Sequence, residues 1–359
     1  MTIVAIIIPH SRPAIDEEDL RATAEVLRSG QIAQGPLVER FERDMASFMG
    51  VRGGVAVSSG TAALELALRA LNVGAGDEVI MPSYVCQAPW LATQRVGAQA
   101  RLVDIDLNTF NIDPLAACQA VTKKTRAIIV PHLFGLPADL TALEQIGIPL
   151  IEDCAQTLGV AEQGRPVGTV GRLTVCSFYA TKLLCAGEGG MVLSNVKGDL
   201  ERVRSLREYD GAPTLDPFSC NVKLTDLQAS LALSQLGRFS AFHERRQILA
   251  AAYRAALSSK TAVCPTAPPG RAHGYYRYVV RLPHLRTDPD GLMGLIGTLE
   301  VQGIHCRKPV FRPLHRYLDQ SGFPNSDEAD RTALSIPFYP NLADDEVRQI
   351  LLSLDEVLL

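Results

Sequence analysis

No two of the eight cysteines (86, 118, 154, 176, 185, 220, 264 and 306) form a C-x-x-C pair, and their neighbours are mostly apolar. That leaves no metal-ligand pattern and suits reduced, buried thiols, which predicts a cytoplasmic protein. No run of Lys or Arg exceeds two residues and the net charge is −4, so the counterion-release term that drives nucleic-acid binding has no footprint and nucleic acid is not an expected partner. The apolar opening MTIVAIIIPH is cut by Pro9 well short of a membrane span. It lacks a basic leader and a small-residue cleavage site, and it reads as a strand or an arm. There is no internal repeat and no low-complexity segment, and neither a Walker loop nor a Rossmann fingerprint occurs.

What is present is a chain of 359 residues, 47% hydrophobic and 21% charged, long enough to bury a large core and to divide in two. Through about residue 200 it runs strand, Gly/Pro/Asp-marked turn, helix, the rhythm of an α/β fold. GVAVSSG reads as a short buried strand, and TAALELALRAL after it repeats Leu64, Leu68 and Leu71 at helical spacing. Further strands are expected at DEVIMP, ARLVDID, TRAIIVPHLFG, PLIEDCA and TVCSFY. Several are continuous apolar runs, so a mainly parallel sheet covered on both faces is predicted. From Thr225 to about Leu257 the pattern is helical, interrupted only by Gly237, and predicts a long helix connecting two domains. Strands at YYRYVVRL and IHCRKPV and a closing helix at DDEVRQILLSLDEVLL then give a smaller C-terminal α+β domain. The expected division is 1–240 and 241–359.

Three elements carry chemistry. Lys182 lies among small and apolar neighbours in SFYATKLLCAGEGGM, and a lysine desolvated at a strand end becomes a nucleophile able to form a Schiff base. Taken alone, such a lysine is more often a surface residue with a snorkelling stem, and the context must overturn that. Asp153 ends the hydrophobic strand IPLIED, where ligands of open α/β sheets bind, although alone an acid there is more often a helix cap than a cofactor ligand. Gly60, Thr61 and Ala62 open a helix with free N–H groups and a hydroxyl, which suits a phosphate dianion as well as a plain cap. Together they supply an amine for an aldehyde, a carboxylate for a ring nitrogen and a helix start for a phosphate, the needs of pyridoxal 5'-phosphate (PLP).

The ordered motifs GPLVERFERDMASFMGV, VSSGTAALELAL, GDEVIMPSYV, VDIDLNTFNIDP, IIVPHLFGLPADL, IEDCAQTLG, SFYATKLLCAGEGGMVLSN, NVKLTDLQASLALSQL and SIPFYP resemble those of the DegT-type sugar aminotransferases, from about residue 12 to the C-terminus. The resemblance implies PLP fold type I, an aspartate-aminotransferase-like architecture. It implies Lys182 as the Schiff-base lysine, Asp153 beside the pyridine nitrogen and Gln156 near the ring hydroxyl. It implies phosphate contacts at Gly60, Thr61, Ala62 and Ser177. It further implies a homodimer with shared active sites, in which Asn221 or Lys223 reaches the neighbouring subunit's phosphate.

Two departures stand out. Where relatives stack an aromatic side chain on the ring, the alignment puts Cys86, with Tyr84 or Trp90 as substitutes. LREYDG replaces the family's usual Arg-x-His-Gly. The cationic stretch CRKPVFRPLHRY offers Arg307, Lys308, Arg312 and His315 to an anionic substrate group, or forms a solvated loop. The expected reaction moves an amino group from glutamate or glutamine to a keto sugar, nucleotide-linked in the leading reading. A keto-cyclitol or non-sugar ketone, or a non-catalytic regulatory role, is the alternative. A dehydrating branch of the family has histidine at the lysine position, and Lys182 argues against it.

Overall fold

The computed structural model describes residues 7–209, 216–258 and 260–358. Its centre is a seven-stranded sheet. In chain order the strands are β1 (Gly53–Val57), β2 (Glu78–Pro82), β3 (Gln99–Val103), β4 (Thr125–Pro131), β5 (Leu150–Asp153), β6 (Leu173–Ser177) and β7 (Gly190–Ser194). Across the sheet they run β1-β7-β6-β5-β4-β2-β3. Parallel pairing sets Ile128 beside Leu150 and Pro131 beside Asp153, so the strands end together and present one common edge of loops. β7 alone runs against its neighbours, pairing antiparallel with β1 and β6. The sequence reading passed over β7, because MVLSN follows a glycine-rich loop with little length to show a period.

Helices α1 (Glu17–Ser29), α2 (Pro36–Met49) and α3 (Gly60–Ala70) flank this sheet. α3 starts where Ser59 accepts the Ala62 N–H at 3.1 Å, a side-chain cap, and buries Leu64, Leu66 and Leu68 against the strands. Each such side chain contributes roughly 1.5–3 kcal/mol by leaving water.

The long helix expected from Thr225 is two helices, α4 (Asp226–Gly237) and α5 (Phe239–Leu257). The chain turns at Arg238 (φ −104°, ψ 5°). Gly237 weakens the helix there, and the Arg238 guanidinium is drawn to Asp19 at 2.6 Å and to Asp16. Ala229 and Ala232 of α4 pack with α2 and the sheet, whereas Leu249, Tyr253 and Leu257 of α5 join a second core with Tyr278, Leu334 and Ile350.

That second core surrounds a two-stranded antiparallel sheet of β8 (Tyr278–Arg281) and β9 (Ala333–Ile336) and is closed by α6 (Asp344–Val357). IHCRKPV, expected as a strand, makes only isolated bridges, Ile304 with Ile8 and Arg307 with Ser335. Pro309 cannot donate to a ladder, and β9 takes the place beside β8. Of the opening stretch, Ile8 forms that single bridge. Residues 1–6, and the Asp210 and Gly211 of LREYDG, lie outside the described residues. Among the described residues no helix is long and apolar enough to cross a membrane.

Candidate active site

A cavity of about 250 Å³ opens at the carboxyl ends of the parallel strands, the place where open α/β sheets take ligands. Asp153 ends β5 and Ser177 ends β6. Gly60 and Thr61 follow β1, and Cys86 follows β2. All of these, with Gln156 and Lys182, line the cavity.

Local geometry places each side chain. Residues 178–189 form a loop stitched back on itself, with Phe178 N–H on the Gly189 carbonyl and Ala180 N–H on that of Gly187, both at 2.9 Å. Lys182 sits at its turn, its N–H on the Tyr179 carbonyl at 2.8 Å. Gly60 is required by close approach: a Cβ there would stand 2.8 Å from that of Ser177. An α-helix leaves its first N–H groups without partners. Ser59 takes that of Ala62, leaving those of Gly60 and Thr61 at the cavity wall.

The Asp153 carboxylate accepts one hydrogen bond, from the Ala155 N–H at 3.0 Å. Burial raises its pKa, against smaller lowering effects of that bond and of the Lys182 charge. A carboxylate in that state gains from a cationic N–H placed against it. Gln156 turns its Oε1 to the Phe134 N–H at 2.9 Å, which leaves its NH2 group to donate elsewhere. Phe134 holds a left-handed backbone (φ 58°) to make that bond, a conformation that costs on the order of 1 kcal/mol in a non-glycine residue.

Cys86 opens to solvent through the cavity, yet protein crowds it and the crowding raises its thiol pKa. Tyr84 and Trp90 do not take its place. Tyr84 is buried and stacks on Phe110 at 5.9 Å, and Trp90 packs on the core behind the cavity. Val85, Cys86 and Ala88 form that wall.

Other expected residues lie apart from the cavity within this chain. Ala62 is the third residue of α3, its N–H already engaged by Ser59. Lys223 bridges the end of β1 at Val57, its amine 3.8 Å from Glu208, with Asn221 exposed beside it. The cationic stretch is dispersed. His315 is buried with both ring nitrogens occupied, Nδ1 by Ser83 at 2.5 Å and Nε2 by Asp327 at 3.0 Å, so it faces no substrate here. Lys308 pairs with Asp330, while Arg307 and Arg312 are exposed.

Two residues the sequence reading passed over stand next to Lys182. Its Nζ lies 5.3 Å from the centre of the Tyr276 ring, and the Arg277 guanidinium lies 5.2 Å from the same ring. Burial works to raise the Tyr276 pKa, but the two cations outweigh it and hold the phenol at about 8. An arginine inside the apolar run YYRYVVRL was the signal available.

The sequence pattern of the DegT/DnrJ/EryC1/StrS aminotransferase family matches residues 13–355. The chain belongs to that family. The spore coat polysaccharide biosynthesis protein SpsC of Bacillus subtilis is 31% identical over 372 residues, covering 96% of this chain and 95% of that one. The PLP form of the "putative sugar aminotransferase Spr1654" of Streptococcus pneumoniae superposes with a TM-score of 0.91 at 27% identity, covering 98% of both chains. DesI, solved in the presence of its TDP-sugar product, superposes with a TM-score of 0.89 at 29% identity, covering 98% of this chain and 92% of that one. This aminotransferase therefore uses PLP on the type I fold. The residues around its cavity fit that cofactor: an amine, an acid lacking a cationic partner, a spare amide donor and a helix start.

Proposed function

We propose that this aminotransferase moves an amino group from glutamate or glutamine to a nucleotide-linked keto sugar, with Lys182 and Asp153 as the reacting pair of side chains. The observation that carries the reading is the meeting of Lys182, Asp153 and the first turn of α3 in one cavity. When bound, PLP supplies an electrophilic carbon and an electron-withdrawing ring. Asp153 would hold the proton on the ring nitrogen, the Gln156 amide would donate to the ring hydroxyl, and Gly60, Thr61 and Ser177 would hold the phosphate. Lys182 Nζ would carry a proton from the donor α-carbon to the cofactor carbon that takes the amine. The sugar acceptor rests on the likeness to Spr1654 and DesI.

Two features of assembly complete the proposal. Asn221 and Lys223, standing outside the cavity of their own chain, reach the phosphate of a second copy in a homodimer. The chain divides near residue 240 into a cofactor-binding domain (1–240) and a smaller domain (241–359), a boundary supported by the turn at Arg238 between two separate cores. The eight free thiols suit the cytoplasm.

The test is direct. Protein loaded with PLP should absorb in the visible, lose that absorption on adding L-glutamate, and recover it with a keto-sugar nucleotide. Recovery only with keto-cyclitols or simple ketones replaces the sugar acceptor. Absence of visible absorption removes the enzymatic reading in favour of a regulatory one.

A further inference from the structure

Lys182 has a second side. Away from the cofactor cavity it borders a narrow cleft of about 20 Å³ lined by Arg12, Arg246, Arg277 and Tyr276, and among the described residues no Asp or Glu lines it. Arg12 has its own partner, Glu346 at 3.1 Å. Among the described residues the other two guanidiniums have no acid partner. Arg246 is buried and gives one nitrogen to the carbonyls of Tyr275 and Tyr276 at 3.1 and 3.0 Å, and its Nε has no partner. Burial lowers even its pKa, to about 10. Arg277 gives one nitrogen to the Pro309 carbonyl at 2.8 Å, and its Nε is likewise buried without a partner. A desolvated guanidinium without an anion costs several kcal/mol. A carboxylate offers the two acceptor oxygens its planar fork is built to meet.

Position and size narrow the anion. The cleft exceeds the space of roughly 10–15 Å³ that one water needs, and it is far too small for a sugar ring. In any amino acid the α-carboxylate stands one carbon from the reacting nitrogen, so it must come to rest close to Lys182 Nζ. Lys182 Nζ and the Arg277 guanidinium approach the same Tyr276 ring, at 5.3 and 5.2 Å from its centre. The Arg277 segment is fixed to the turn that follows β4. Gly274 N–H meets the Gly135 carbonyl at 2.7 Å, and a Cβ on Gly135 would come within 2.5 Å of the Tyr275 nitrogen.

We propose that Arg277, backed by Arg246, seats the α-carboxylate of the amino donor. This rests on the aminotransferase reading and assigns the donor to residues outside the cofactor cavity. A keto sugar has no such carboxylate, so the two halves of the reaction respond differently to changes at Arg277.

The test uses PLP-loaded protein. Arg277→Gln should raise the KM for L-glutamate about 10- to 100-fold, the loss expected for a hydrogen-bonded charge partner. It should leave the return reaction with the keto acceptor within about twofold. Calorimetry with glutarate, an unreactive dicarboxylate, should show binding to the wild type and none to Arg277→Gln. An unchanged KM, unchanged glutarate binding, or equal losses in both half-reactions would overturn the proposal. Should Arg277→Gln not fold, Arg277→Lys decides: without the planar fork the KM for glutamate rises severalfold, and wild-type values for KM and glutarate affinity overturn it. A wild type that shows no visible absorption and no reaction with glutamate defeats the aminotransferase reading itself, an outcome distinct from either.

Discussion

Glu152 and Asp153 are adjacent residues of one strand, and the alternation of a β-strand sends them into opposite surroundings. Glu152 is fully buried and saturated. It accepts the N–H groups of Gly168, Val170 and Gly171 at 2.7, 2.9 and 2.6 Å and the His132 Nε2 at 3.1 Å. Burial alone would raise its pKa, but His132 and those amides prevail and hold it below the usual carboxylate value. Asp153 takes one amide and faces the cavity with its pKa raised by burial. One acid is completed by its own chain. The other is left for something the chain does not contain, which is how a binding site differs from a structural knot built of the same residue types.

His132, Glu152 and Cys154 also bring three metal-type ligand atoms within 4.8 Å. The same bookkeeping explains them without an ion. The Ala138 N–H occupies the His132 Nδ1 at 3.0 Å, Glu152 has four donors, and burial keeps the Cys154 thiol protonated.

The comparison breaks most visibly at Lys182. Lys182→Ala should remove all transamination and the visible absorption of the lysine-bound cofactor, while the urea midpoint stays near wild type because the half-buried stem leaves no large cavity. Retained turnover would take the chemistry away from this cavity altogether.

On the saturated side the loss should be one of stability. Glu152→Gln turns amide hydrogens toward backbone N–H donors, which leaves buried groups unpaired and costs about 3 kcal/mol of unfolding free energy. The pH dependence follows from its direction of shift. A carboxyl held below its ordinary value of 4.5 contributes stability above that pH and loses it as the pH falls through the folded value. Urea titrations from pH 7 to pH 3 should therefore show the acid-side decline shallower in Glu152→Gln than in wild type, and parallel curves would remove Glu152 from the account.

The smallest effect is expected at Cys86, on the cavity wall where the resemblance led to the expectation of an aromatic ring. Cys86→Ala should change PLP affinity by less than the roughly 0.5–1.5 kcal/mol an aromatic stack supplies. Bound PLP should slow alkylation of the thiol, and equal labelling rates with and without cofactor would place Cys86 away from the ring.

Much of the site was legible because its residues directly follow strands. Asp153 closes an apolar run, and Gly60 and Thr61 follow another at a helix start, so pattern alone fixes their place at the sheet's carboxyl edge. Lys182 gains meaning from the glycines that close its loop. Legibility failed where long-range packing decides. Nothing near His315 in sequence reveals that Ser83 lies 2.5 Å from its ring, nor that Asp330 takes the charge of Lys308. The turn at Arg238 is written partly in Asp19, more than two hundred residues earlier. Tyr276 and Arg277 belong to the second core by sequence and to the Lys182 neighbourhood only through the contact of residues 274–277 with Phe134 and Gly135.

The most direct measurement places both acids in one experiment: the rate at which L-glutamate converts the PLP-loaded protein, and the urea midpoint of the cofactor-free protein, for Asp153→Asn and Glu152→Gln alike. Asp153→Asn should convert on the order of 100-fold more slowly, about 3 kcal/mol of lost electrostatic stabilisation. Its midpoint should rise at neutral pH, because a carboxylate whose ionised form the fold disfavours has been made neutral. Glu152→Gln should convert at close to the wild-type rate per folded site with a lowered midpoint. A fast Asp153→Asn protein, or a Glu152→Gln protein that is slow yet stable, would contradict the assignment of the cofactor's partner to Asp153.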